Sequence, residues 1–140
     1  MRAVMLMFKF MSEEKANYAY ASGKWTVKEV FGHMIDTESI MGYRALAISR
    51  GEKQSLPGFD ENEYVVNSNF RDQKLGDILE RYKMVRYSNV LLAKSFTSDM
   101  LNRVGTANGN EMNVRALTYI IAGHELHHIE VLRTKYEIKS

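Results

Sequence analysis

Proline occurs once in this chain of 140 residues, at Pro57, and the long windows on either side repeat apolar residues at helical spacing. A proline inside a helix removes a hydrogen bond and clashes with the preceding turn. Its confinement to Gly51-Glu52-Lys53-Gln54-Ser55-Leu56-Pro57-Gly58 therefore marks a loop between helices. The first long helix is predicted after Lys24, where Thr26 followed three residues later by Glu29 makes a capping-box pattern. Inward positions recur at Val30, His33/Met34, Thr37, Met41, Ala45 and Ile48, and Gly51 ends the run. A second helix is predicted from Leu75 to about Ser95, with Ile78, Leu79, Tyr82, Val85, Val90 and Leu91 inside. Asn108-Gly109-Asn110 reads as a turn. The last helix spans about Met112 to Tyr136, with the stripe Val114, Leu117, Ile121, His124, His128, Leu132. Glu63–Asn67 comes closest to strand alternation and is short. Three long helices and the apolar segment Met1–Phe10 predict an all-α, antiparallel helical bundle, most simply one domain over residues 1–140.

Composition narrows the function classes. The net charge of +2 is small and the basic residues are interleaved with acids, so no footprint for nucleic acid or an anionic membrane is expected. Met1–Phe10 carries Arg2 and Lys9, lacks a small-residue cleavage pattern and is too short to span a bilayer. The absence of cysteine excludes disulfides and protein thiolate chemistry, and it fits a reducing, cytoplasmic setting.

Without cysteine, imidazole and carboxylate are the only strong metal ligands. The chain has four histidines, His33 alone and His124, His127 and His128 together. On a helix His124 and His128, four apart, have Cβ atoms about 5–6 Å apart on one face, so both can grip one divalent cation. His33, the only histidine outside the cluster, is the candidate third ligand. Three neutral imidazoles with open positions suit zinc or nickel. The competing reading is that histidines on an apolar stripe are hydrogen-bonded core residues; two buried on one line demand some such satisfaction. His127 points about a quarter turn away and reads as a supporting or surface residue.

Two carboxylates are candidates for catalysis. Asp36, one turn after His33, can orient that imidazole, or it is a surface acid paired with a basic neighbour. Glu125 lies in His124-Glu125-Leu126-His127-His128, which satisfies H-E-x-x-H, the pattern in which zinc peptidases use the glutamate as general base. Such peptidases take a third ligand downstream, and the tail after His128 has no histidine. A solvated or packing role for Glu125 is therefore favoured. The loop Leu56–Glu61 is expected to border a pocket, with Arg44 and Asp60 as substrate contacts. Met5, Met7, Met11, Met34 and Met41 read as core filler, and Tyr18, Tyr20 and Trp25 as packing at the start of the first long helix.

Taken together, Gly23-Lys24-Trp25-Thr26-Val27-Lys28-Glu29-Val30, His33 with Asp36-Thr37-Glu38, Tyr43-Arg44-Ala45-Leu46, Leu56-Pro57-Gly58-Phe59-Asp60-Glu61 and Gly123-His124-Glu125-Leu126-His127-His128 resemble the DinB-like (DinB/YfiT) superfamily, read as metal-dependent enzymes. The match runs from about Ser12 to Leu132. The resemblance implies a four-helix bundle with a three-histidine divalent-metal site, one ligand from the second helix and two from the last: His33, His124 and His128. It also implies thiol-dependent transfer or hydrolysis on a small molecule, with a low-molecular-weight thiol activated at the metal. The chain departs from the family pattern at its start, where the first helix is short, either truncated or vestigial. Such a remainder would expose an apolar groove and favour a homodimer. The alternative is a non-catalytic metal-binding or dimerising helical module.

Overall fold

The computed structural model describes residues 2–138. Two short helices, α1 (Arg2–Phe8) and α2 (Glu13–Ala16), precede α3 (Val27–Ser49). The capping box forms as predicted: Glu29 Oε2 accepts from the Thr26 amide at 2.7 Å, and Thr26 Oγ1 accepts from the Glu29 amide at 3.2 Å. The helix ends just before Gly51, whose φ of +89° suits a residue without a Cβ. Next come α4 (Glu61–Val66), α5 (Leu75–Lys94) and α6 (Ser98–Asn102), then the strands β1 (Val104–Ala107) and β2 (Asn110–Asn113), and finally α7 (Val114–Thr134). The fold is thus a helical bundle whose first helix is short, with one small hairpin added.

Two segments differ from the sequence reading. Residues 61–66 are helical because Asp60 Oδ1 accepts from the amides of Asn62 and Glu63 at 2.8 and 2.9 Å and starts a turn there. Asn108 and Gly109 both adopt positive φ, +51° and +73°, the geometry of a two-residue hairpin turn. The strands they join pair antiparallel from Val104↔Asn113 to Ala107↔Asn110 and are too short to show a period of two. Met112 therefore lies in β2, and α7 starts at Val114, where Asn113 Oδ1 accepts from the Ala116 amide at 2.7 Å.

α7 runs antiparallel to α3. Ala45 and Ile48, late in α3, pack with Val114 and Leu117, early in α7, while Val30 and Met34 share a core with Ile129 and Leu132. α5 lies beside α3 in the same sense, since Asp36 meets Arg81, Glu38 meets Arg86 and Gly42 meets Asn89. The long connection through α4 makes that parallel passage possible. α1 closes the lower half of the bundle, with Val4, Met7 and Phe8 buried against Phe31 and its neighbours. Above it, α5 and α7 flank an open cleft of about 170 Å³ lined in part by Val90, Ala93, Phe96, Ile121 and Ala122. Val90, which lines the cleft, and Leu91, both expected inside, are 41% and 49% exposed. Among the described residues no helix is long and apolar enough to cross a membrane.

Two glycines of the bundle should respond oppositely to alanine. A Cβ at Gly32 would enter the Phe70 ring, so Gly32→Ala should destabilise by about 1–3 kcal/mol. Gly123, exposed within α7, faces no atom within 4 Å, and Gly123→Ala should stabilise by about 0.5–1 kcal/mol. Urea unfolding of both variants measures the pair.

Candidate metal centre

The antiparallel seam of α3 and α7 decides where the histidines go. His33 faces inward one turn after Glu29, is 8% exposed, and its ring lies 5.0 Å from that of Trp25. His124 and His128 project from successive turns of α7 towards it. His33 Nε2 stands 3.0 Å from His124 Nε2, which stands 3.1 Å from His128 Nε2. The three potential ligand atoms all lie within 4.8 Å of one another.

Electrostatics leave these rings neutral near pH 7. Burial, then the neighbouring imidazoles, pushes His124 down to about 4 and His128 down to about 3. Burial also lowers His33, against the opposing charges of Glu61 and Asp36. Neutral imidazole is the form that offers a lone pair to a cation. A tetrahedral ion bonded to nitrogen at about 2.0–2.1 Å would separate its ligands by about 3.4 Å, within a few tenths of an ångström of the His33–His124 and His124–His128 separations. The residues present therefore fit a divalent metal, and a cation satisfies three converging lone pairs at once. Nδ1 of His128, on the far side of its ring, is buried without a hydrogen-bond partner.

The other site residues read from the sequence fall in distinct places. Asp36 pairs with Arg81 at 2.7 Å on the flank of α3, and its charge reaches His33. Glu125 points from α7 towards α5, where Tyr82 donates to it at 2.6 Å and Arg86 pairs with it. Burial opposes its ionisation, yet the Tyr82 hydrogen bond and the Arg86 charge help hold its carboxyl below the ordinary range. Arg44 is buried, donates to the Pro57 carbonyl at 2.7 Å and lies against Phe59. Asp60 caps α4. His127 is exposed, its ring 5.0 Å from His128.

One residue of the loop expected to border the pocket has a role the sequence did not show. Glu61, in the first turn of α4, acts electrostatically on both His33 and His124. Asp60 followed three residues later by Glu63 is the pattern that would have started a helix at this position.

A family model described as the DinB superfamily matches residues 2–132. A solved structure, YfiT from Bacillus subtilis, superposes with a TM-score of 0.81 at 16% identity, covering 99% of this chain and 82% of that one. YfiT is described as a probable metal-dependent hydrolase with an unusual four-helix bundle topology. At this identity the likeness is one of fold. No protein of curated function matches the chain.

The depressed histidines make a pH prediction for metal-free protein. Between their folded values and about 6.5, the unfolded chain binds more protons than the folded one, so stability falls as pH drops through that window. Thermal unfolding should show Tm lower by a few degrees at pH 5 than at pH 7, with a flatter profile in His128→Ala. Equal slopes in both proteins would contradict the assignment.

Proposed function

The chain belongs to the DinB superfamily, and from that premise we propose that it is a metal-dependent enzyme whose His33, His124 and His128 hold one divalent cation, zinc or nickel. The observation that carries this reading is the convergence of three Nε2 atoms from two helices, one on buried His33 and two on half-buried His124 and His128. Three protein ligands are the usual catalytic complement, because they leave a position for a reactant. When bound, the cation supplies Lewis acidity and lowers the pKa of a coordinating water or thiol.

The chain's own residues account for the remainder of the site. Trp25 backs the His33 ring and fixes its orientation. Glu61 places a carboxylate charge on the side of α4 towards the histidines and is the candidate proton acceptor. Asp36 and Glu125 act as positioning residues, Asp36 through Arg81 and Glu125 by tying α7 to α5 next to His124. The reaction is hydrolysis, or transfer to a low-molecular-weight thiol, on a small molecule. Thiol use is favoured by a site that brings no cysteine of its own.

The apolar cleft between α5 and α7 favours a second property. The same helix α7 that lines it also carries exposed Tyr119 and Leu126, and two copies pairing at the cleft would bury its apolar lining. Light scattering at micromolar concentration should give the mass of a dimer; a monomer removes this assignment. The non-catalytic alternative keeps the fold and the pairing without turnover.

The enzymatic reading is tested by a panel of small esters, amides and thiol-transfer substrates. Activity should disappear on chelation and return with zinc or nickel. In His128→Ala it should not return, although circular dichroism stays helical. Turnover that ignores chelation, or survives in a folded His128→Ala protein, would refute the reading.

A further inference from the structure

Arg44 is 4% exposed, yet among the described residues no carboxylate pairs with it. The other deeply placed cations are matched. Lys28 meets Glu13 at 2.6 Å, and Arg86 meets both Glu38 and Glu125. Burying a guanidinium is costly unless an anion and hydrogen-bond acceptors compensate it. Arg44 has one good acceptor, the Pro57 carbonyl at 2.7 Å, and a weak one, Met41 Sδ at 3.7 Å, against five N–H donors. Burial lowers its proton affinity with no neighbouring acid to offset the effect.

This cation lines a cavity of about 130 Å³ between α3 and the loop leading into α4. Ile40 and Leu56 make its apolar walls, and Tyr43, Phe59 and Tyr64 its aromatic ones. The Phe59 ring lies between Arg44 and Tyr64, 5.9 Å from the guanidinium carbon and 5.2 Å from the Tyr64 ring. The far wall is fixed in advance. Leu56 accepts from the Asn108 amide at 3.0 Å and donates to Thr106 at 2.8 Å, while Gly58 lies so close to the Asn108 side chain that any Cβ would collide with it. A preformed pocket with one unmatched charge is the arrangement expected of a ligand site.

Its position ties it to the histidines. Ile40 and Arg44 follow His33 on the same face of α3 at helical spacing, with Ile40 about 10 Å further along the axis. On α4, Tyr64 borders the cavity and Glu61, one turn earlier, acts on His33 and His124. The two features therefore lie along one strip of surface beneath α4.

We propose that the cavity under Phe59 and Tyr64 is a subsite for a carboxylate carried on an apolar or aromatic body, with Arg44 as the group that recognises the charge. A single guanidinium, with no lysine beside it, selects a monoanion over a phosphate dianion. A planar body suits walls built of aromatic rings, and the distance to the histidines sets an elongated small molecule with its reacting group away from the carboxylate. The direction of that reacting group rests on the metal-site reading above; the subsite itself does not.

Benzoate and its neutral isostere benzamide are the probes, titrated by NMR into the full chain as purified, after chelation, and in His128→Ala. The chelated and variant samples keep the carboxylate from reporting on a bound metal instead. Benzoate should saturate at millimolar concentration in all three samples, shifting residues of the cavity wall, and benzamide should bind at least about tenfold more weakly. Arg44→Met should weaken benzoate by a similar factor, and Arg44→Lys should restore part of the loss. If Arg44→Met does not fold, the benzoate–benzamide contrast in the wild-type chain still decides. Equal binding of the two probes, no saturable shift at tens of millimolar, or shifts confined to the histidines would overturn the proposal. Loss of benzoate binding with zinc still bound at the histidines would sink the subsite alone. Benzoate binding without any metal uptake would sink the metal reading alone.

Discussion

The packing of α3 against α7 is the contact on which the candidate site depends. These helices run antiparallel, and their apolar ends form separate cores: Ala45 and Ile48 with Val114 and Leu117 at one end, Val30 and Met34 with Ile129 and Leu132 at the other. Beside the second of these cores, the seam carries the imidazoles of His33, His124 and His128. Withdrawing three such rings from water, one fully and two in part, is unfavourable unless each finds a partner. Among the described residues none serves all three, and His124 Nε2 stands at hydrogen-bond distance from the Nε2 atoms of both His33 and His128. A shared cation is the single partner that would satisfy the set, and it would turn a weak point of the core into a cross-link between the helices.

Behind this seam lies a second polar layer that holds the third wall of the bundle. Arg86 of α5 binds Glu38 of α3 through two nitrogens at 2.7 and 2.8 Å and also pairs with Glu125 of α7, to which Tyr82 donates. The low-dielectric setting strengthens these contacts and makes each one costly to break singly. Asn89 donates to the Glu38 carbonyl, and its side chain packs so closely on Gly42 that no larger residue fits there. The literal H-E-x-x-H pattern is thereby split. His124 and His128 look into one side of α7, while the glutamate looks out of the other and joins helices together.

The parts of this arrangement visible in the sequence are those governed by local rules. Thr26 and Glu29 announced the start of α3, and the recurrence of Val114, Leu117, Ile121, His124, His128 and Leu132 marked the inner face of α7. The absence of other histidines singled out His33. Short-range turn chemistry was harder to weigh: Asn108-Gly109 is a strong hairpin signal, but its four-residue strands carry no readable period. Long-range facts were not legible at all. Whether Val90 and Leu91 are covered depends on how far α1 extends along the bundle, and whether Arg44 has an acid partner depends on which loop folds over it. Glu61 was read only as the end of the loop bordering the pocket, because its effect on His33 and His124 depends on α4 lying near both long helices, a long-range fact.

X-ray absorption at the zinc edge of zinc-loaded protein tests the central claim most directly. The account predicts one tightly bound ion with imidazole scattering from three histidines at about 2.0–2.1 Å, the third contribution lost in His33→Ala. A coordination shell of oxygen alone, or three imidazoles still present in His33→Ala, would show that the seam between α3 and α7 does not hold the metal.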